Sequence, residues 1–305
     1  MNTISFTSGK GETRKLILHE PEGRPKAVVH IVHGMAEHYK RYYPLAQYLC
    51  DQGFAVAGHD LIGHGPETAE GELGYFGSSD GWQKLVDDLK TVHATLCGRW
   101  PNARQVMLGH SMGSFLAREY VIQAGHDKLD GLVLSGTGFT NSALCNTGLA
   151  IANVICAFGG MRKPSPFVDR IAFSGNNRTF KQARTKLDWL SRDIKEVDKY
   201  IADPYCGFVF TGEGYRDLFR GLKQLTKLDR LDKVPKSLDV LMISGEKDPV
   251  GGMDLSGMRA VAEQYRSAGL RDITIKTYAD GRHEMFNEIN RDEVRADLLA
   301  WLDRI

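Results

Sequence analysis

The pentapeptide Gly109-His110-Ser111-Met112-Gly113 constrains this chain more than any other stretch. It follows the apolar run Gln105-Val106-Met107-Leu108 and precedes a helical pattern over residues 114–123, so the serine falls on a strand–turn–helix elbow. The flanking glycines remove Cβ atoms that would keep strand and helix apart. The serine oxygen then projects from the sheet, and the N–H groups of a helix N-terminus lie ready to stabilise developing negative charge. A small-residue turn without chemistry is the competing reading, and the strand–helix context disfavours it.

An elbow of this kind needs a parallel sheet around it, and the rest of the chain supplies one. Residues 4–7 and 14–19 flank Gly9-Lys10-Gly11 and read as an antiparallel hairpin. Short apolar runs follow at 27–33, 54–59, 105–109, 131–135, 240–244 and 273–278. Several, such as Val-Val-His-Ile-Val, are nearly continuous, as in strands covered on both faces. Between them Trp82, Leu85, Val86, Leu89, Val92 and Leu96 keep a helical period, as do Val294, Leu298, Trp301 and Leu302. The expected fold is α/β, a mostly parallel eight-stranded sheet flanked by helices.

The alternation breaks once. Residues 140–224 contain no convincing strand, and Asp193 with Glu196 reads as an acidic helix start. This segment is expected to be a helical cap inserted into a core of residues 1–139 and 225–305, covering the carboxyl ends of the strands. It carries an apolar stretch at 143–161, barely long enough to span a bilayer and broken by Asn146, Asn153 and glycines, so a transmembrane helix is disfavoured.

A serine hydroxyl needs a base, and in elbows of this type an acid and then a histidine follow in the chain. Of ten histidines only His283 lies beyond the insertion, on the loop after the last strand. The acid belongs after the preceding strand, in Gly245-Glu246-Lys247-Asp248-Pro249. Asp248 is preferred because Pro249 fixes its turn; Glu246 competes, and Asp280 sits too close to His283 to reach round. Oxyanion donors are expected from the N–H groups of Met112, after the nucleophile, and Met35, in the loop after the third strand. Gly34 and His110 should border the substrate beside them. Leu144, Leu149, Ile151, Val154, Ile155 and Phe158 either pack on the core or, as the sharper expectation for Ile151, Val154 and Phe158, contact an acyl chain or a lipid surface.

Other motifs fail on inspection. His33 to Glu37-His38 is one residue too long for H-x-x-E-H, and His283-Glu284 has Asn287 where H-E-x-x-H needs histidine. The turn His59-Asp60-Leu61-Ile62-Gly63-His64-Gly65 reads as structural. No phosphate-loop or dinucleotide fingerprint occurs, and no cofactor or metal is expected. Five cysteines without a C-x-x-C pair, and an N-terminus without a signal pattern, point to a reducing, cytoplasmic setting. Lys+Arg 39 against Asp+Glu 38 leaves no field to gather nucleic acid.

Taken together, His33-Gly34-Met35-Ala36-Glu37-His38, His59-Asp60 with Gly63-His64-Gly65, the elbow, Gly245-Glu246-Lys247-Asp248-Pro249 and His283-Glu284 resemble the monoacylglycerol lipase and lysophospholipase branch of the α/β-hydrolases. The likeness runs from about residue 3 to 304 and is weak across 140–224, where Arg178, Lys181, Arg184 and Lys186 mingle with apolar residues. The resemblance implies a Ser111–Asp248–His283 triad, an oxyanion hole at Met35 and Met112, and no cofactor or metal. It implies hydrolysis of a small-molecule ester bearing one acyl chain, monoacylglycerol or lysophospholipid, and leaves room for peripheral membrane contact through the cap. A short-chain or aryl (feruloyl-type) esterase, an acyltransferase and a small peptidase stay open on the same fold, as does a ligand-sensing hydrolase fold with little turnover.

Overall fold

The computed structural model describes residues 1–124, 129–177, 180 and 182–305, with all their side chains except that of Met253. Arg178 and Lys181 lie outside the described residues. Eight strands form one sheet: β1 (Asn2–Thr7), β2 (Thr13–His19), β3 (Ala27–Val32), β4 (Ala55–Gly58), β5 (Arg104–His110), β6 (Gly131–Ser135), β7 (Asp239–Gly245) and β8 (Ile273–Tyr278). Their order is β1-β2-β4-β3-β5-β6-β7-β8. The first hairpin is antiparallel and β2 pairs antiparallel with β4; every later pairing is parallel. This is the α/β-hydrolase sheet expected from the sequence.

Because strand side chains alternate, each buried strand feeds two cores. Met107, Leu132, Leu134, Val240 and Met242 join a cluster with helices α2 (Gly81–Arg99), α3 (Met112–Ala124) and α8 (Ser256–Ser267). Val106, Leu108, Val133, Leu241 and Ile243 turn the other way, onto α1 (Tyr43–Asp51) and α9 (Arg291–Leu302). Continuous apolar runs are thus what a sheet sandwiched between helices requires. The strand β5 ends at the elbow, where His110 still pairs with Ser135 of β6.

Between β6 and β7 lie α4 (Ser142–Ile155), α5 (Pro166–Phe173), α6 (Ile194–Ala202) and α7 (Gly212–Leu225). Among the described residues the only extended pairing in this segment is an isolated bridge between Pro164 and Thr211. Asn141 caps α4, its side chain accepting from Leu144 N–H, and Asp193 caps α6 by accepting from Lys195 N–H. Glu196 does not complete a reciprocal capping box; its carboxylate pairs with Lys199 and Arg291. Residues Ser142–Gly160 are apolar enough to cross a membrane, with mean hydropathy 1.5, and only 17% of that stretch is buried. The stretch is not one straight rod: Phe158 and Gly159 leave helical geometry, and Gly148 lies against the Phe219 ring of α7.

Candidate active site

Ser111 sits at the elbow with φ of 51°, in the left-handed region that L-residues occupy at a cost of about 1–3 kcal/mol. The turn is held from both sides. Ser111 N–H donates to the Ser135 carbonyl at 2.9 Å, and Ser114 returns its N–H (2.8 Å) and hydroxyl (2.6 Å) to the Ser111 carbonyl. A Cβ on Gly109 would strike the Gly113 carbonyl, and one on Gly113 would strike the carbonyls of Val32 and His33. Both glycines are therefore set by the seating of α3 on β3 and β5.

His283 Nδ1 and Asp248 Oδ1 lie 2.9 Å apart, both groups buried. The carboxylate is aimed by Val250 N–H (2.9 Å to Oδ1) and by the Ser244 hydroxyl (3.4 Å to Oδ2). Glu246 and Asp280 are exposed, Asp280 at a turn with φ of 56°. Burial alone would push the His283 pKa down. The charge and hydrogen bond of Asp248, with Glu284 and Glu37 behind it, outweigh that, so the imidazole is raised above its ordinary 6.5. The ring of His110, next to Ser111 in the chain, lies 4.7 Å from that of His283, centroid to centroid. Burial first, and then His283, hold His110 down to about 4, so its ring is neutral beside that of His283.

The loop after β3 approaches from the other side. A Cβ on Gly34 would stand 2.8 Å from Glu37 Oε1, 3.2 Å from Ser111 Cβ and 3.3 Å from the His110 ring, so any side chain here would crowd all three. Gly34 N–H donates to Glu37 Oε1 at 2.5 Å, and Ala36 N–H to His64 Nε2 at 3.2 Å. His33 Nε2 likewise accepts from Leu61 N–H at 2.9 Å. Both histidines thus hold backbone in place. Met35 is half-buried in this loop, and Met112, buried, opens α3. The Ala36 carbonyl accepts from Tyr200 O–H (2.7 Å) and Gly207 N–H (2.9 Å), both from the 140–224 segment.

Sequence reasoning missed two groups. Arg41 donates a fork to Glu284 (2.7 and 2.6 Å) and a further bond to Glu37 (2.5 Å), forming a buried network beneath the loop. Arg41 follows Glu37 by four residues, a spacing that could have signalled the first pair. The Trp189 ring lies 4.9 Å from the His283 ring, and its carbonyl accepts from His283 N–H at 3.3 Å. Trp189 belongs to the stretch with the weakest sequence signal.

The three acyl-contact candidates separate. Ile151 is half-buried and packs on the same core as α2 and α3. Val154 is 57% exposed and Phe158, beyond the kink, 88% exposed. An enclosed tunnel wall is therefore the wrong description for these two: α4 buries Cys145 and Ala152, which leaves Val154 on the outer surface.

A sheet of this order, carrying an elbow serine at the end of its central β5, defines the α/β hydrolases, and the protein is a serine ester hydrolase of that class. More narrowly, the chain belongs to the serine aminopeptidase S33 family, whose model matches residues 23–290. It is 30% identical to phospholipase YtpA of Bacillus subtilis over 291 residues, covering 92% of this chain and 96% of that protein. It is 26% identical to a monoacylglycerol lipase of Mycolicibacterium smegmatis over 92% of this chain and 90% of the relative. A thermostable carboxyl esterase from Bacillus coagulans, solved with glycerol, superposes with a TM-score of 0.91 at 27% identity, over 100% of this chain and 98% of that one.

Proposed function

We propose that the protein hydrolyses carboxylic esters of monoacyl lipids, monoacylglycerol or lysophospholipid, through an acyl-enzyme on Ser111. The observation that carries the chemistry is the buried 2.9 Å contact between His283 and Asp248, in chain order after an elbow serine. Ser111 Oγ attacks the ester carbonyl while His283 takes its proton, then protonates the departing alcohol. Asp248 holds the imidazole tautomer and stabilises its cation. The N–H groups of Met35 and Met112 receive the oxyanion, and water repeats the sequence on the acyl-enzyme. Residues 140–224 act as a cap over this site, with Gly34, His110 and Ile151 bordering the acyl group. Val154 and Phe158 meet a lipid surface from outside.

The lipid reading is supported by the relatives' activities and by the exposed apolar residues Leu144, Val154, Phe158, Phe167 and Ile171 on one segment. The likeness to a carboxyl esterase supports ester hydrolysis without a lipid acyl chain, and a short-chain ester is the second reading. A hydrolysis panel from acetyl to palmitoyl monoacyl esters separates the two. Each added methylene contributes up to about 0.8 kcal/mol of burial, so kcat/KM should climb with chain length until the acyl site is full. A maximum at acetyl esters, with no gain from length, removes the lipid reading and leaves the triad proposal standing.

A further inference from the structure

We propose that His38, Asp203 and Cys206 form a binding site for one zinc-class divalent cation, apart from the catalytic groups. The three side chains offer an imidazole nitrogen, a carboxylate oxygen and a thiol sulfur, all within 4.8 Å of one another. A tetrahedral zinc ion with bonds of roughly 2.0–2.3 Å spaces such donors about 3.3–3.8 Å apart. His38 Nε2 already stands 2.9 Å from Asp203 Oδ2, so a small opening of that pair seats the ion. Three protein ligands leave a fourth position for water or an exogenous donor.

The ligands are held by their own surroundings. Tyr205 N–H donates to Asp203 Oδ1 at 2.9 Å, which turns Oδ2 toward His38. Cys206 N–H donates to the Asp203 carbonyl at 3.0 Å, closing a turn that carries both ligands. The guanidinium of Arg41, which lines the same cleft, is matched by Glu37 and Glu284, and Asp203 brings its own negative charge to the site. A cleft of about 880 Å³, lined by His38, Arg41, Tyr200, Asp203 and Cys206 among others, gives the ion a route in, and Ser111, Asp248 and His283 are not in its lining.

Cysteine spacing could not reveal this set, because 165 residues separate His38 from Asp203. A bound ion would staple the turn at 203–206 to the loop that carries Met35 and Ala36. Binding converts the Cys206 thiol to a thiolate and releases its proton to solvent.

Cobalt(II) titration of chelator-treated, full-length protein tests the site. The expected result is one equivalent bound with a thiolate-to-cobalt charge-transfer band, displaced by zinc, together with a melting temperature that rises with free metal. Cys206→Ser and Cys206→Ala should each abolish the band, while Cys145→Ser and Cys156→Ser keep it. Absence of the band in the folded wild-type protein, or its survival in both Cys206 variants, overturns the assignment. Cobalt bound without sulfur in its spectrum overturns it equally.

Discussion

At Ser111 the backbone is kept in a conformation its side chain disfavours, by a hydrogen bond to the Ser135 carbonyl on one side and bonds from Ser114 on the other. The strain belongs to the scaffold, so removing the hydroxyl should leave the fold intact. Ser111→Ala is expected to lower esterase turnover by roughly three to six orders of magnitude with unchanged circular dichroism. Asp248→Asn should cost less, yet far more than Glu246→Gln, because only Asp248 reaches His283. A Glu246 variant more damaging than the Asp248 variant reverses that assignment. The pH profile follows from the same pair. In the proposed mechanism His283 must be neutral to accept a proton, and its pKa is raised, so kcat/KM should fall as pH drops through a midpoint above 6.5. In any Asp248→Asn protein with residual activity the midpoint should move down.

Among elements, the loop after β3 has the most demanding surroundings. Arg41 satisfies two buried carboxylates, Glu37 within its own region and Glu284 beside His283. Removing one member of a buried ion network leaves uncompensated charge, which typically costs about 3–5 kcal/mol. Arg41→Met should destabilise by that order in urea unfolding and depress kcat, since Glu37 also holds Gly34 N–H. A change below about 1 kcal/mol would show the network to be energetically idle. The strands were readable because β-branched runs between glycine-rich turns have few other uses, and their ends shifted by only a residue or two. The pairing of Asp248 with His283 was legible because chain order and strand ends leave few positions for such a pair. Trp189, Tyr200 and Gly207 were not readable: their roles depend on how an irregular segment settles against the sheet, which no local period encodes.

The whole molecule carries an unusual load of buried imidazoles. Burial holds His30 down to about 3 and His110 to about 4, and His59 and His64 well below 6.5. Unfolding frees each to take a proton below about 6.5, so each subtracts stability as pH falls through that value, with a slope of up to about 1.4 kcal/mol per pH unit. Asp88 and Asp217 act oppositely. Burial pushes both up to about 7, so they favour the folded state as pH falls from 7 toward 3.8. Burial also lowers His19 and His33 and raises Asp239, so among the described residues the depressed histidines outnumber the raised carboxylates and stability should fall between pH 6 and 5. Urea midpoints across that interval check the sign, and a stability that holds or rises contradicts it.

The bonds that Tyr200 and Gly207 make to the Ala36 carbonyl bear on how this enzyme can be rebuilt. A segment proposed to cap the site invites grafting from one relative onto another. Here the graft would also carry away two of the struts under the loop that houses Met35. Chimeras cut at 140 and 224 therefore exchange two supports of the loop after β3 along with the proposed cap. Donors that retain a hydroxyl and an amide at these two places should yield working hybrids, and those that lack them should give folded but sluggish ones.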